Sequence, residues 1–302
     1  MLQQLFTNKY VIPLIFGFGF GILTRLYLLQ TDYRQYPTHP HGKIIHISLG
    51  VIASALGAVA VPALLQEDYT AITFLALAAQ QFRDVRNMER KTLTEIDQHE
   101  LVPRGQTYIE GIAMVFEGRN YLVIFSAFVT TMATVLFAWW GGAVVGLASL
   151  LWARSLKSGK TLSHIVEVQP GQLRVEGKDL YVDDIYIMNI GSAEAQAVIR
   201  ERGLGFILKP DNLNANVTIS HPGQRQAILH DAATILGVYT DQGEPSLTPL
   251  VKRDMASGRL GVFLLPLLRD PKKVRDVIKN VPILESAIRM PKEAPANSKG
   301  VR

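Results

Sequence analysis

Apolar residues are spread unevenly along this chain: long runs fill residues 1–153, and short alternating stretches follow. A membrane-spanning helix needs roughly 20 mostly apolar residues, because the hydrocarbon core is about 30 Å thick. Tyr10–Leu29 meets that length with one charge, Arg25, near its end, where the side chain is expected to snorkel to the interface. Ile44–Leu65 meets it without a charge. Tyr69–Phe82 is shorter, and is expected to thin its surroundings or to be shielded by its neighbours. The run from Tyr121 to Trp152 is too long for one span. It is expected to break at "WWGG", Trp139–Gly142, since tryptophan favours the interface and paired glycines favour a turn. Spans at about 121–138 and 143–153 result, and the pattern as a whole predicts about five transmembrane helices.

Between the third and fourth predicted spans lies an amphipathic connection, 83–119. Arg83, Asp84, Arg86, Glu89 and Arg90 recur at three- and four-residue intervals, the spacing of a salt-bridged helical face. Pro103 and Gly105 break the chain, and a second helix is predicted to restart near Thr107 as a possible cap. A seven-residue step is about two helical turns, so Glu110 and Glu117 share one side of it. Unpaired buried charge is costly, so both carboxylates need partners, with Arg83, Arg86, Arg104 and Arg119 as the candidates. One reading is an ion-pair lattice; the other is a carboxylate pair performing acid–base chemistry at the membrane face.

From about Thr161 the texture changes. "IVEVQ", "QLRVEG", "LYVDDIYIMNI", "GFILKP" and "NVTISH" read as strands, and "RLGVFLLPLL" as a buried strand or strand pair. Ser192–Gly203 reads as a helix capped by Ser192 and stopped by Gly203, His221–Gly237 as a helix ending on glycine, and Asp270–Asn280 as a helix with Pro271 just inside its start. Strands followed by alternating helices and strands indicate an α+β domain. The expected organisation is a polytopic membrane domain at 1–158, an α+β domain at 159–289 and a disordered tail at 290–302. Asp183 and Asp184 of "YVDD" are carboxylates that could bind a ligand or another chain, although acids at a sheet edge are usually just solvated.

Composition narrows the chemistry. With no cysteine among 302 residues, disulfides, thiolate zinc sites and cysteine nucleophiles are excluded. His39, His41 and His46 come nearest to a metal cluster but lie in a proline-rich loop without a zincin spacing, so neither metal nor cofactor is expected. The net charge of +5 is modest and implies no nucleic-acid partner. Before the first apolar run only Lys9 is basic, and no cleavage-like site follows, so that segment is expected to be retained. Basic residues cluster in the first connection, in 83–119 and after the last span. The positive-inside rule then predicts a cell-membrane protein with its N-terminus outside and its α+β domain cytoplasmic.

"YIEGIA", Tyr108–Ala113, together with "LALAAQQFRDVRNMER", "ELVPRG", "FEGRNYLV" and "LYVDDIYIMNIGS", resembles the YIEGIA family of spore-forming Bacillota over nearly the whole chain. The resemblance implies a multi-pass membrane protein associated with sporulation. The predicted architecture is also similar to that of the sporulation membrane aspartic protease, but this chain has no Asp-Ser/Thr-Gly motif.

Two functions compete on these grounds. The first is a membrane-anchored scaffold or regulator that recruits an unknown protein partner on the cytoplasmic side. The alternative is a carboxylate-type membrane protease, with Glu110, Glu117, Asp183 and Asp184 as candidate catalytic groups. A transporter is less favoured, since the spans are read as lacking the central polar residues and paired broken helices that such a function usually needs.

Overall fold

The computed structural model describes residues 9–32, 40–156, 160–241, 244–245 and 247–288. The expected tail at 290–302 lies outside them, as do His39 and the side chain of His41. The chain forms two compact units: residues 1–91 with 112–158, and residues 92–111 with 159–302.

The first unit is helical. Its elements are α1 (Val11–Asp32), α2 (Pro40–Leu65), most of α3 (Tyr69–Asp97) and most of α4 (Gln106–Ser155). Among the described residues three helices are long and apolar enough to cross a membrane: α1, α2 and α4. The expected count of about five is therefore not confirmed. Residues 69–82 form the first half of α3, where polar residues from Arg83 onward dilute the apolar run. The expected break in the last run is present but earlier than "WWGG": Phe137 (φ −125°, ψ 16°) and Ala138 (φ 63°, ψ −172°) leave helical geometry within α4.

Helix spacing in this unit is set by glycines. A Cβ on Gly57 would lie 2.2 Å from the Ile124 carbonyl oxygen, and one on Gly17 would lie 2.7 Å from that of Ala127. Only a hydrogen at those positions lets α1 and α2 approach α4 so closely. Gly50 faces the stem of Arg25 in the same way. Arg25 does not snorkel: it is 1% exposed, and donates from Nε to the His46 carbonyl at 3.2 Å. Its Nη2 lies 2.9 Å from His46 Nδ1, and its guanidinium lies over the Phe116 ring. The tertiary bonds available from α2 outweigh the reach to water, because a hydrogen-bonded guanidinium tolerates burial far better than a bare one. Hydroxyls also line the interior: Thr24 meets Ser126 at 3.0 Å, and Ser126 meets Ser149 at 2.7 Å.

The second unit is α+β. Strands β1 (Val166–Gly171), β2 (Leu173–Glu176), β3 (Asp179–Val182) and β4 (Ile185–Asn189) precede α5 (Ala193–Arg202) and β5 (Leu204–Pro210). Helices α6 (Leu213–Ser220) and α7 (Pro222–Leu236) follow, then the short β6 (Thr240–Asp241) and β7 (Glu244–Pro245). Strands β8 (Leu250–Arg253) and β9 (Leu260–Leu264) and helix α8 (Pro271–Asn280) complete the unit. One antiparallel sheet runs β1-β5-β9-β8, and β2-β3-β4 form a separate meander. Alternation along the strands explains the layers. Ile207 and Phe263 face the meander's Leu180, Val182, Ile185 and Ile187 in one core. Their neighbours Phe206, Leu208, Val262 and Leu264 point to the opposite face and are also buried, so the central sheet is covered on both sides.

Local signals account for most helices. Ser192 accepts from the Ala195 amide, Asp270 accepts from the Lys272 amide at 3.0 Å, and Gly237 ends α7 with φ 70°. The expected strand "NVTISH" is instead helix α6. Its β-branched residues favour strands only weakly, and Asn212 caps the segment by accepting from the Ala215 amide at 2.9 Å.

Gly57→Ala is expected to lower the stability of the detergent-solubilised protein by about 1–3 kcal/mol, because its methyl meets backbone rather than a movable side chain. Gly19→Ala, which opens onto free space, should leave the melting temperature unchanged or raise it. Equal effects of the two in a thermal melt would contradict this packing.

Candidate functional site

The four candidate carboxylates fall into two settings. Glu117 accepts from Arg86 Nη1 at 2.9 Å, with only 13% of its side chain exposed. Arg86 was one of four candidate partners on sequence grounds. Glu110, one heptad earlier, is half-buried and belongs to the second unit, whereas Glu117 belongs to the first. Asp183 and Asp184 form the β3–β4 turn, where Asp183 adopts φ 53°. The Asp183 carboxylate accepts from the Gln172 amide at 2.7 Å, and that of Asp184 meets Arg259 Nη2 at 2.6 Å. The Arg259 hydrogen bond holds the Asp184 carboxyl below its ordinary range, so it stays ionised at neutral pH.

The segment 92–111, which ends with Tyr108–Gly111 of the YIEGIA motif, is part of the second unit and lies along α7. Asp97 starts the arrangement: its buried carboxylate accepts from the amides of Arg104 (2.6 Å) and Gly105 (3.0 Å), closing the turn after α3. Gly105 has φ 75°, a conformation that suits glycine. The turn and the start of α4 present three carbonyls to one face of α7. The Val102 carbonyl meets His230 Nδ1 at 2.7 Å, that of Pro103 accepts from Gln226 Nε2, and that of Thr107 lies where a Cβ on Gly223 would be 3.1 Å away. Residues 223, 226 and 230 are three or four apart and so share a helical face. Tyr108, 1% exposed, packs edge-on to the His230 ring at 6.5 Å between centroids. Gly111 leaves room for Ser286, whose Oγ would lie 2.4 Å from a Cβ placed there.

Electrostatics at this junction are unusual. Burial pushes the Asp231 carboxyl up to about 6, with the nearby Arg104 charge opposing the rise. Burial also lowers His230, so its ring is neutral and Nδ1–H donates to Val102. Arg104 itself lies 3.9 Å from Asp97 and 3.7 Å from Glu100.

Beyond the N-terminus of α7 lies a cavity of about 380 Å³, lined by Ser220, His221, Arg253 and Ser286 with apolar Val217 and Ile288. Gln224 lies behind the lining: fully buried, it donates to the Pro282 carbonyl at 3.1 Å and accepts from the Leu284 amide at 2.8 Å. That clasp holds the 285–287 turn, and hence Ser286, beside α7. Asn216 orients Arg253 by accepting from Nη2 at 3.1 Å. Ser220 and His221 are adjacent in the sequence, but their cavity partners arrive from β8 and the 285–287 turn. Only tertiary structure reveals the set. Among the described residues no cluster of histidines and carboxylates could hold a metal ion.

Two measurements test this junction. Asp231 is protonated more readily folded than unfolded, so stability falls as pH rises from about 4 to about 6 and stays reduced above. Asp231→Asn should flatten that slope and stabilise the protein at pH 8, by on the order of 1 kcal/mol, with little effect below pH 4; an unchanged pH profile of the melting temperature would contradict it. Gly111→Ala should destabilise through contact with Ser286, by about 1 kcal/mol after the helix-propensity gain, and Ser286→Ala in that background should restore the loss. Strictly additive effects in a double-mutant cycle would show that the two residues do not meet.

The family model described as "YIEGIA protein" matches residues 13–294. A Bacillus subtilis (strain 168) protein, "Uncharacterized protein YphB", is 56% identical over 286 residues, covering 95% of this chain and 96% of that protein. No solved structure matches. The chain, whose α+β unit contains Tyr108–Gly111 of that motif, belongs to the YIEGIA family.

Proposed function

We propose that this protein is a sporulation-associated membrane scaffold or regulator, which recruits a protein partner through a cytoplasmic α+β unit. Three helices long and apolar enough to cross a membrane support the anchoring. The sporulation context rests on the family resemblance. The observation that carries the reading is how the motif segment is used: the carbonyls of Val102 and Pro103 bond His230 and Gln226, and Tyr108 is buried. A segment so engaged serves architecture, and its conformation is tied to that of α7. Glu117 and Asp184 support the same reading, since each is held by an arginine rather than poised to exchange a proton.

Carboxylate-type proteolysis, through Glu110, Glu117, Asp183 or Asp184, is the competing function. The two are separated by affinity purification and whole-proteome comparison in sporulating cells carrying wild type, a deletion, or Glu110→Gln with Glu117→Gln. The scaffold predicts that the double variant, present in the membrane at normal level, retains the partners of wild type and that only the deletion alters the proteome. A protein that accumulates uncleaved in both the deletion and the well-folded double variant would overturn it in favour of the protease.

A further inference from the structure

Three large aliphatic side chains stand exposed at the C-terminal end of α7: Ile235 (64%), Leu267 (65%) and Leu268 (44%). Backbone bonds bring them there. The Leu268 amide donates to the Leu236 carbonyl at 3.1 Å, and Leu267 lies over Gly237, 2.9 Å from where a Cβ would be. The Tyr239 amide donates to the Leu265 carbonyl at 2.8 Å, and Asp270 caps α8 directly after the loop. The loop between β9 and α8 is thus pinned at both ends with its leucines held outward. Single exposed leucines are ordinary, but apolar side chains grouped on a fixed surface mark a contact face.

Charge identifies what covers this face. Residues 267–279 carry five bases, Arg269, Lys272, Lys273, Arg275 and Lys279, against two acids. Asp270 is turned onto the amides of Lys272 and Lys273, and Asp276 lies 3.8 Å from Arg275. Arg269, Lys272 and Lys273 are exposed, and among the described residues none has a carboxylate within ion-pair distance. Helix α8 buries Val274 and Ile278 completely, so its apolar stripe is used internally and its bases are left on the outer side. An apolar tip beside unpaired bases matches the boundary of an anionic bilayer, where acyl chains lie beneath phosphate headgroups. A second copy fits poorly, because a two-fold contact would set these bases against their own equivalents. Connectivity also favours lipid: α4, long and apolar enough to cross a membrane, ends at Ser155, and the second unit resumes at residue 159. So short a connection raises the effective concentration of bilayer at this unit.

We infer that the β9–α8 loop and the start of α8 form a membrane-docking surface for an anionic leaflet. Leu267, Leu268 and Ile235 enter the interfacial layer, while Arg269, Lys272 and Lys273 meet lipid phosphates. The helix itself stays in the α+β unit, because its apolar residues are already buried there. Docking makes the orientation of that unit depend on the anionic lipid content of the membrane. This surface is additional to the scaffold reading, and it is measured on purified protein with no partner present.

The chain has no cysteine, so Thr234→Cys, at an exposed position beside Ile235, provides a single labelling site. Full-length protein carrying a bimane dye there is placed in nanodiscs of phosphatidylcholine with brominated acyl chains, into which phosphatidylglycerol is titrated. Quenching by the brominated chains is expected to grow with the phosphatidylglycerol fraction. It should fall in about 1 M salt, where the Debye length is about 3 Å. Lys272→Gln with Lys273→Gln should lower the docked-to-undocked ratio about twentyfold, since each base near an anionic surface contributes about fivefold. Leu267→Ser with Leu268→Ser should lower it at least about tenfold through lost apolar burial. All four positions are exposed, so both variants should melt as wild type does in detergent. Quenching that is absent, that is equal with and without phosphatidylglycerol, or that either pair of substitutions leaves unchanged would overturn the proposal. Loss of a bound protein from the variants with lipid quenching unchanged would also overturn it, and would assign the face to that protein.

Discussion

The second unit depends on one carboxylate. Asp97 sits at the end of α3, and its two oxygens take the amides of Arg104 and Gly105. Charge-assisted bonds to backbone amides are stronger than neutral ones, and a buried carboxylate without them would be too costly to keep. With that turn closed, the carbonyls of Val102, Pro103 and Thr107 lie along α7, where His230, Gln226 and Gly223 receive them. The motif glycine then falls opposite Ser286, and Gln224 holds the turn that carries that serine. One helix thus reads the incoming segment on one face and builds a cavity at its N-terminal end.

The helical unit solves a different problem with different means. Apolar helices gain no hydrophobic drive against one another in lipid, so close packing and internal polar bonds must hold them. Gly17 and Gly57 supply the close approach. Arg25 with His46, and the hydroxyls of Thr24, Ser126 and Ser149, supply the bonds. Arg25 is the extreme case, since a guanidinium is tolerated there because the His46 carbonyl, the imidazole and the Phe116 face converge on it. The hydroxyl chain also places polar atoms inside a unit whose sequence reads as almost wholly apolar.

What could be read from the sequence was local. Ser192, Gly203, Gly237 and Asp270 with Pro271 marked helix ends through their own backbone preferences, and those ends hold. The α+β pattern of the second half was legible from alternation, because each strand hides one face or both. Val217-Thr218-Ile219 misled for the same reason that alternation works: β-branching is a weak preference that the Asn212 cap and helix packing override. The heptad relation of Glu110 and Glu117 was visible, and Arg86 stood among four possible partners, but spacing alone could not choose among them. The burial of Arg25 and the cavity were not legible at all. Both need residues far apart in the chain, His46 for one and Ser220, Arg253 and Ser286 for the other, and no local period encodes such meetings.

That the segment leading into the motif, through Gly111, is a built-in part of the α+β unit, lying along α7, is the claim on which the rest stands. Because the chain has no cysteine, it can be tested cleanly in native membranes. Pro103→Cys with Gln226→Cys, treated with a short bis-methanethiosulfonate, which forms a disulfide at each cysteine and releases methanesulfinate, should cross-link rapidly within one chain, whereas Pro103→Cys with an exposed cysteine at Glu194 on α5 should not. Efficient linkage of the first pair alone is the predicted result. Failure of that pair to link in correctly folded protein, or equal linkage of both, would contradict it.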